Sequence, residues 1–298
     1  MIPSNINILE NHPLAPLTTW KIGGAARYLA MPRDLEEVCG LMRLAYDRGW
    51  PLFFLGRGSN VLIADQGLPG LTLYLARSLL KLERQGEYLR AGAGVPLPRL
   101  ARFAAELGFS GFESLAGIPG TVGAGVRLNV GADGQNLAAA LRRVWVATPQ
   151  LHLIELGRTE LALGYRSSLL LQFPHWLVAE AEFELRNPAP REMIQARMGE
   201  LLQARRLRQP ANPRSCGSVF KNPPGGPPAG KLIDELGFKG RRVGDAQVSG
   251  KHANFILNQG RATAAQVKAL MAEIQDRVWH THHIALDREV VFLPEDLI

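Results

Sequence analysis

The 298-residue sequence has little cysteine and no long apolar run. Its two cysteines, Cys39 and Cys216, are too few for a disulfide framework and lack Cys-x-x-Cys spacing, so both thiols are expected to be reduced. No apolar stretch approaches the roughly 18 residues that a membrane span needs. The segment Met1–Thr19 has neither the basic start nor the apolar stretch of an export signal. These absences predict a cytoplasmic protein without a membrane span.

Aromatic residues are also sparse, at 7% of the chain. The basic stretch Arg205–Arg214 has no interleaved aromatic residue on which bases could stack, and this disfavours nucleic acid as a partner. That stretch is either a solvated helix end or an anion contact. His280, His282 and His283 have no Cys, Asp or Glu at ligand spacing nearby, so no metal site is predicted.

Positively charged residues outnumber negatively charged ones, with 34 Lys and Arg against 27 Asp and Glu. A formal net charge of +7 and a pI near 9.7 favour anionic partners, including phosphorylated small molecules. Hydrophobic residues make up 46% and charged residues 20%, as in globular proteins, and the length fits two or three modules. The oligomeric state stays open, with a monomer favoured.

Hydrophobic spacing predicts a mixture of helices and strands. Asp34 is the expected cap of an amphipathic helix, and Thr263 begins a capping box for a helix that runs through Trp279. Asn187–Pro190 breaks a strand and predicts a domain border near residue 187. The other predicted helices are Leu97–Leu107, Arg191–Arg208 and Ala229–Leu236, and the predicted strands are Pro51–Leu55, Leu71–Leu75, Tyr88–Gly92, Arg143–Ala147, Trp176–Leu185, Ser218–Lys221 and Glu289–Leu293.

Glycine clusters follow several of these strands, at Gly56–Asn60, Ala91–Gly94 and Gly117–Gly123. Glycine lets backbone N–H groups approach a diphosphate without a Cβ in the way, so the first and third clusters predict phosphate contacts. The second fits an ordinary turn. None is the Gly-x-Gly-x-x-Gly of a Rossmann unit, and Gly225–Leu232 ends in Leu where an ATP-binding loop needs Ser or Thr.

A series of short motifs covers nearly the whole chain: Thr19–Gly24, Leu55–Leu62, Ala93–Leu97, Gly117–Gly123, Gly164–Ser168, Ser215–Pro223, Ala229–Ile233, Gln247–Ile256 and Arg288–Val291. In content and order they resemble the UDP-N-acetylenolpyruvoylglucosamine reductase family. The resemblance implies an α+β fold, with a two-part FAD-binding region of the vanillyl-alcohol-oxidase type followed by a smaller α/β substrate-binding domain. The expected parts are residues 1–75, 76–187 and 188–298.

The same resemblance implies an oxidoreductase of peptidoglycan synthesis, and hence of cell shape and division. It would use NADPH and FAD to reduce the enolpyruvyl ether of a UDP-sugar. No histidine lies in either long glycine loop, so the FAD is expected to be non-covalent. NADPH and the UDP-sugar would enter one cleft in turn, and the flavin would carry hydride from the first to the second. No second dinucleotide-binding fold is therefore needed.

Site residues carry over from the family motifs. Arg166 would bind the substrate carboxylate, Ser218 would donate a proton, and Glu289 would act as a protonated carboxyl with a raised pKa. The residues expected near the nucleotide-sugar are Tyr165, Lys221, Asn222 and Gln247. The residues expected to hold FAD are Gly56, Arg57, Gly58, Ser59, Asn60, Val61, Gly117, Ile118, Pro119, Gly120, Thr121, Gly123, Ala124 and Asn129.

The second half has no room for the tyrosine-bearing loop that one branch of the family folds over its substrate, so the chain resembles the loop-less branch. Gly-Asp-Ala-Gln at 244–247 also replaces a frequent Gly-Gly-Ala-Gln. Two rival functions stay open at this point. One is an oxidase of the same fold that passes electrons to oxygen, and the other is a nucleotide- or nucleic-acid-binding protein without catalysis.

Overall fold

The computed structural model describes residues 7–211 and 214–297, and these contain both helices and strands. The helices are α1 (Leu35–Asp47), α2 (Leu97–Glu106), α3 (Val122–Arg127), α4 (Arg191–Arg208), α5 (Ala229–Glu235) and α6 (Ala264–His282). The strands are β1 (Ile8–Pro13), β2 (Ala25–Ala30), β3 (Leu52–Leu55), β4 (Val61–Ile63), β5 (Leu68–Tyr74), β6 (Leu82–Gln85), β7 (Tyr88–Gly92), β8 (Gly131–Ala132), β9 (Gln135–Asn136), β10 (Leu141–Ala147), β11 (Leu153–Gly157), β12 (Leu177–Glu184), β13 (Arg242–Val243), β14 (Ala246–Val248), β15 (Ile256–Asn258) and β16 (Val291–Leu293).

The chain divides into two compact units that each take more than one stretch of sequence. The first contains residues up to Glu10, Tyr28–Arg57 and Gly70–Arg205. The second contains Asn11–Arg27, Gly58–Pro69 and the residues from Arg206 onward. These units are defined by packing, whereas the predicted borders at 75 and 187 concern what each part binds, so those borders stay predictions.

In the first unit, α1 packs against a sheet of order β1-β2-β5-β3. The helix begins where the Asp34 side chain accepts a hydrogen bond from the Glu37 N–H, as predicted. Its apolar stripe, which includes Val38 and Leu41, is buried in one cluster with Leu71 and Leu73 of β5. Strands β3 and β5 are parallel.

A five-stranded antiparallel sheet of order β11-β10-β12-β7-β6 completes the first unit. Inward-facing residues such as Val144 and Phe183 are fully buried together with Leu100 of α2 and Val122 of α3. Phe112 meets Phe183 edge to face at 6.0 Å between ring centroids. Helix α3 packs on this core, and the core thereby positions the loop that precedes the helix.

The second unit combines N-terminal and C-terminal sequence around α6. Strand β4 pairs in parallel with β16, and β13-β14-β15 form a small antiparallel sheet. Trp20 is fully buried in the same apolar cluster as Ile274 and Val278 of α6. Its indole N–H donates to the Ile256 carbonyl at 2.8 Å. The segment around Trp20 is therefore part of the core of this unit.

Several predicted bounds differ from the structure by one to three residues; for example, β5 begins at Leu68 instead of Leu71, and β16 begins at Val291 instead of Glu289. Helix α6 continues past Trp279 to His282 and ends at His283, which adopts the left-handed conformation that glycine more often adopts at this position. Ser218–Lys221 forms single β-bridges, from Ser218 to Phe255 and from Phe220 to Arg288, instead of a continuous strand. Within the described ranges, no helix is both long enough and apolar enough to cross a bilayer.

Candidate functional site

The loop Gly117–Gly123 joins a 3-10 helix, Glu113–Gly117, to α3 in the first unit. Backbone bonds fasten it to the turn after β7: the Val122 N–H donates to the Val95 carbonyl and the Gly123 N–H to the Ala93 carbonyl, each at 2.9 Å. A Cβ on Gly123 would lie 2.8 Å from the Ala93 Cβ. Glycine is therefore required there by close approach of the two backbones.

The buried carboxylate of Glu113 fixes the start of the 3-10 helix that precedes this loop. Glu113 accepts hydrogen bonds from the Ser110 hydroxyl at 2.6 Å, the Gly111 N–H at 2.8 Å and the Gln135 amide at 3.4 Å. Burial opposes ionisation, but these hydrogen bonds outweigh it and lower the pKa of Glu113. The carboxylate thus connects the 3-10 helix to the β8-β9 hairpin.

The loop Gly56–Val61 begins in the first unit and ends in the second. In the first unit, a Cβ on Gly56 would lie 3.1 Å from the Thr121 hydroxyl, so the two glycine loops meet at this point. In the second, the Gly58 carbonyl accepts from the Thr19 N–H at 3.0 Å and from its hydroxyl at 3.2 Å. Gly58 has a φ of +61°. A Cβ there would lie 2.5 Å from the Leu17 carbonyl oxygen.

These loops fit a dinucleotide cofactor. In the first unit, Thr121 offers a hydroxyl beside Gly56, which has no side chain, and hydroxyls are donors of the kind that phosphate oxygens accept. Arg57 adds a positive charge. The donor set is suited to a diphosphate.

Arg166 lies at the tip of a tight turn in the first unit. The Gly164 N–H donates to the Ser167 carbonyl at 3.0 Å, and the Ser167 N–H returns a bond to the Gly164 carbonyl at 3.3 Å. Tyr165 and Arg166 occupy the two central positions, and Arg166 has a φ of +50°, which non-glycine residues rarely adopt. The Arg166 guanidinium lies 5.6 Å from the centre of the Tyr165 ring. The turn therefore projects both side chains together.

Residues of α3 and the turn after it support this tip. Asn129 donates through Nδ2 to the Gly164 carbonyl at 2.8 Å, and the Ser168 hydroxyl donates to the Arg127 carbonyl at 2.6 Å. The Arg127 guanidinium donates to the carbonyls of Phe173 and Trp176, each at 3.2 Å. Its burial lowers the pKa of Arg127 to about 10.

Ser218 and Glu289 are on neighbouring segments of the second unit. The Glu289 N–H donates to the Val219 carbonyl at 2.9 Å, and the Lys221 N–H donates to the Asp287 carbonyl at 2.8 Å. Burial raises the pKa of the Cys216 thiol. Cys216 is therefore a buried thiol packed beside this segment.

Asn60 brings the first glycine loop to the Glu289 segment. Its Nδ2 donates to the Glu289 carbonyl at 3.0 Å, and its own carbonyl accepts from the Val291 N–H at 3.0 Å. Three predicted site residues, Asn60, Ser218 and Glu289, are thus connected through directly bonded segments in one unit.

The remaining predicted substrate residues of the second unit have other contacts. Asn222 is exposed, and its Oδ1 accepts from the Ala229 N–H at 3.0 Å at the start of α5. Gln247 lies on β14, where its amide donates to the Gly240 carbonyl at 3.0 Å and accepts from Gln259 at 2.7 Å. Among the residues with described coordinates, no three His, Cys, Asp or Glu side chains are grouped to hold a metal.

Sequence reasoning did not single out two residues that support the site. Thr19 bonds the Gly58 carbonyl, and Asn254 bonds both backbone groups of Phe220 between Ser218 and Lys221. Both lie inside the motifs quoted above, which was the available signal. Their partners are distant in sequence, so spacing alone could not identify the contacts.

Two family descriptions match the chain. Residues 26–157 match an FAD binding domain, and residues 209–293 match the C-terminal domain of UDP-N-acetylenolpyruvoylglucosamine reductase. The predicted α+β fold class, an FAD-binding region followed by a substrate-binding domain, is confirmed by these matches and by the solved structure described next.

Relatives named UDP-N-acetylenolpyruvoylglucosamine reductase match over nearly their full length. The protein from Synechococcus sp. (strain WH7803) is 46% identical, covering 93% of this chain and 90% of its own. The protein from Carboxydothermus hydrogenoformans is 42% identical, covering 97% and 94%. The crystal structure of the Thermus caldophilus reductase has a TM-score of 0.81 at 35% identity, covering 97% of this chain and 99% of that one.

Proposed function

Because the chain belongs to the UDP-N-acetylenolpyruvoylglucosamine reductase family, we propose that Arg166, Ser218 and Glu289 carry out that family's reaction. The reaction is the NADPH-dependent, FAD-mediated reduction of UDP-N-acetylglucosamine-enolpyruvate to UDP-N-acetylmuramate in peptidoglycan synthesis. One observation carries the proposal: Glu289 and Val219, the residue after Ser218, are directly hydrogen-bonded at 2.9 Å. This contact places an acid and a hydroxyl on adjoining segments.

The two glycine loops are proposed to hold FAD without a covalent bond. When bound, FAD takes hydride from NADPH and delivers it to the methylene carbon of the substrate. The match of residues 26–157, which contain both loops, to an FAD binding domain supports this role. Gly58 and Gly123 let the loops pack within their units, because a Cβ at either position would lie under 3.0 Å from protein atoms.

Arg166 is proposed to bind the carboxylate of the enolpyruvyl group. A guanidinium presents two parallel N–H donors to a carboxylate, and negative charge grows on that group as hydride is added to the neighbouring double bond. The turn Gly164–Ser167 supports this role because it projects Arg166 beside the exposed ring of Tyr165. Arg166 would thus bind the charge most strongly when it is largest.

Ser218 is proposed to complete the reduction. Hydride addition to the methylene carbon leaves an electron pair on the adjacent carbon, and the Ser218 Oγ–H proton is transferred to that pair to form the new C–H bond. The serine oxygen then regains a proton from Lys221 or water. A protonated Glu289 carboxyl would donate a hydrogen bond to the developing charge, which an ionised carboxylate could not do.

Tyr165, Lys221, Asn222 and Gln247 are proposed to contact the nucleotide-sugar. The net charge of +7 supports this, because both the UDP-sugar and NADPH are anionic. We further propose a cytoplasmic location, since these substrates are soluble intracellular metabolites, and a monomer with no nucleic-acid partner.

The test is the visible spectrum of the purified protein without air, before and after NADPH and then after the UDP-enolpyruvyl sugar. We expect flavin absorbance that bleaches with NADPH and returns with the sugar. Flavin that NADPH bleaches but only oxygen restores would favour the rival oxidase. Ser218→Ala should bleach normally and recover more slowly, and normal recovery would show that Ser218 is not the proton donor.

A further inference from the structure

Three asparagine side chains donate hydrogen bonds to backbone carbonyls in or beside the segments that carry the three proposed catalytic residues. We propose that Asn60, Asn129 and Asn254 are positioning residues that orient Glu289, Arg166 and Ser218, an inference that rests on the proposed function. Each asparagine and its segment lie within one unit of the chain.

Asn254 holds the segment of Ser218. The side chain is 3% exposed, and it bonds both backbone groups of Phe220: Oδ1 accepts from the N–H at 3.0 Å and Nδ2 donates to the carbonyl at 2.8 Å. The Asn254 carbonyl also accepts from the Val219 N–H at 2.9 Å. Three bonds therefore fix the backbone on the C-terminal side of Ser218.

Asn129 holds the turn of Arg166. This side chain is 5% exposed, donates through Nδ2 to the Gly164 carbonyl at 2.8 Å and accepts through Oδ1 from the Ala138 N–H at 3.1 Å. The Gly164 carbonyl also accepts the bond that closes the turn. Since Arg166 has a left-handed backbone conformation, which costs free energy, the turn needs such external support.

Asn60 contacts the proposed catalytic residue itself. Its Nδ2 donates to the Glu289 carbonyl at 3.0 Å, while its own backbone carbonyl pairs with the Val291 N–H. Side-chain and backbone groups of Asn60 thus bind the backbone at Glu289 and at Val291, where strands β4 and β16 begin to pair. The glycine loop and the Glu289 segment are thereby joined.

Asparagine suits this task because its carboxamide is both donor and acceptor, like a peptide group. An ionised aspartate has the same shape but only accepts, so in these places its second oxygen would face a backbone carbonyl. A protonated aspartate could donate again. The substitution Asn→Asp is therefore a test whose effect depends on pH.

We expect Asn60→Asp, Asn129→Asp and Asn254→Asp to reduce the rate of flavin reoxidation by the UDP-enolpyruvyl sugar roughly 10- to 100-fold, because small misplacements of reacting groups have effects of this size. In Asn254→Asp, whose asparagine is not among the residues expected to hold FAD, flavin reduction by NADPH should change by less than about twofold, since Ser218 acts only in the second half-reaction. The ratio of variant to wild-type reoxidation rate should rise as pH falls and the new carboxyl is protonated.

Asn258→Asp is the matched control. Asn258 is 1% exposed, donates to the Trp20 carbonyl at 3.0 Å and accepts from two backbone N–H groups, but holds no segment of a proposed catalytic residue. It should lower the midpoint of thermal unfolding as the other variants do and leave the ratio of the two half-reaction rates unchanged.

If the Asp variants do not fold, Asn→Ser variants at the same positions replace them. A serine side chain is too short to make both hydrogen bonds of the carboxamide, and it adds no charge. The selective slowing of flavin reoxidation should therefore remain, and its dependence on pH should disappear. Equal slowing of both half-reactions in Asn254→Asp, or reoxidation in the three variants that is slowed no more than in Asn258→Asp, would overturn the inference. Wild-type flavin that the sugar cannot reoxidise would instead overturn the proposed function and the inference with it.

Discussion

Gly58 and Gly49 have the same backbone conformation in different surroundings. Both have a φ of +61°. A Cβ on Gly49 would meet no atom within 4 Å, whereas one on Gly58 would lie 2.5 Å from the Leu17 carbonyl oxygen and 2.7 Å from the Thr18 Cα. Alanine at Gly49 would therefore cost only the free energy of a left-handed backbone, whereas alanine at Gly58 would add the cost of a steric clash.

We predict that Gly58→Ala weakens FAD binding at least about tenfold, because the loop must move away from Leu17 and Thr18 to admit the methyl group. Gly49→Ala should cost only about 1 kcal/mol of unfolding free energy, the usual cost of a left-handed alanine, and leave FAD binding unchanged. Flavin fluorescence titration and urea unfolding measure the two effects. Equal FAD affinity in both variants would contradict the prediction.

At the scale of elements, helix α6 has two different N-terminal caps. The capping box of Thr263 and Gln266 is formed as the sequence predicts. In addition, the Asp65 carboxylate accepts from the Ala264 N–H at 2.7 Å and from the Ala265 N–H at 3.0 Å. Its negative charge faces the positive end of the helix dipole. The turn after β4 is thus fastened to the longest helix of the second unit.

We predict that Asp65→Ala lowers the unfolding free energy by about 1–2 kcal/mol, since it removes two hydrogen bonds and a favourable charge. Asp65→Asn should lose less, because one acceptor remains. Asp276→Asn, an exposed carboxylate within α6, should change stability by less than about 0.5 kcal/mol. Denaturant unfolding checks the order, and equal effects of Asp65→Ala and Asp276→Asn would refute the assigned cap.

At the scale of the whole molecule, the N-terminal segment Asn11–Arg27 belongs to the same unit as the C-terminal third of the chain. Trp20 is the main reason: it is fully buried, and Asn258 donates to its backbone carbonyl at 3.0 Å. Trp279, also in this unit, is 51% exposed. Substitutions of the two tryptophans therefore test how much the burial of Trp20 against distant parts of the sequence contributes to the free energy of unfolding.

We predict that Trp20→Ala lowers unfolding free energy by about 3–5 kcal/mol, the usual range for a buried tryptophan, and that Trp279→Ala lowers it by less than about 1 kcal/mol. In Trp20→Ala, amide hydrogen exchange should accelerate in β14, β15 and α6 more than in β7, β10 and β12 of the first unit. Equal acceleration of amide exchange in the elements of both units would mean that the units unfold together and that the prediction is wrong.

The sequence by itself determined the features that depend on near neighbours. Asp34 and Thr263 cap their helices as predicted, because the cap and its partner are three residues apart and helix geometry brings them together. The ordered motifs likewise determined the fold class, the cofactor and the reaction, since each motif is a short run that can be read without the fold. The roles of individual site residues stay predictions.

Only the tertiary structure decided which distant segments meet. Asp65 and Ala264 are 199 residues apart, and Asn60 and Glu289 are 229 apart, so no local rule could pair them. Asn129 was expected to lie near the flavin, but its hydrogen bonds to Gly164 and Ala138 are evident only in the folded chain. The physical reason is that a carboxamide can bond any backbone N–H or C=O, and a carboxylate any backbone N–H, so packing alone selects which one it reaches.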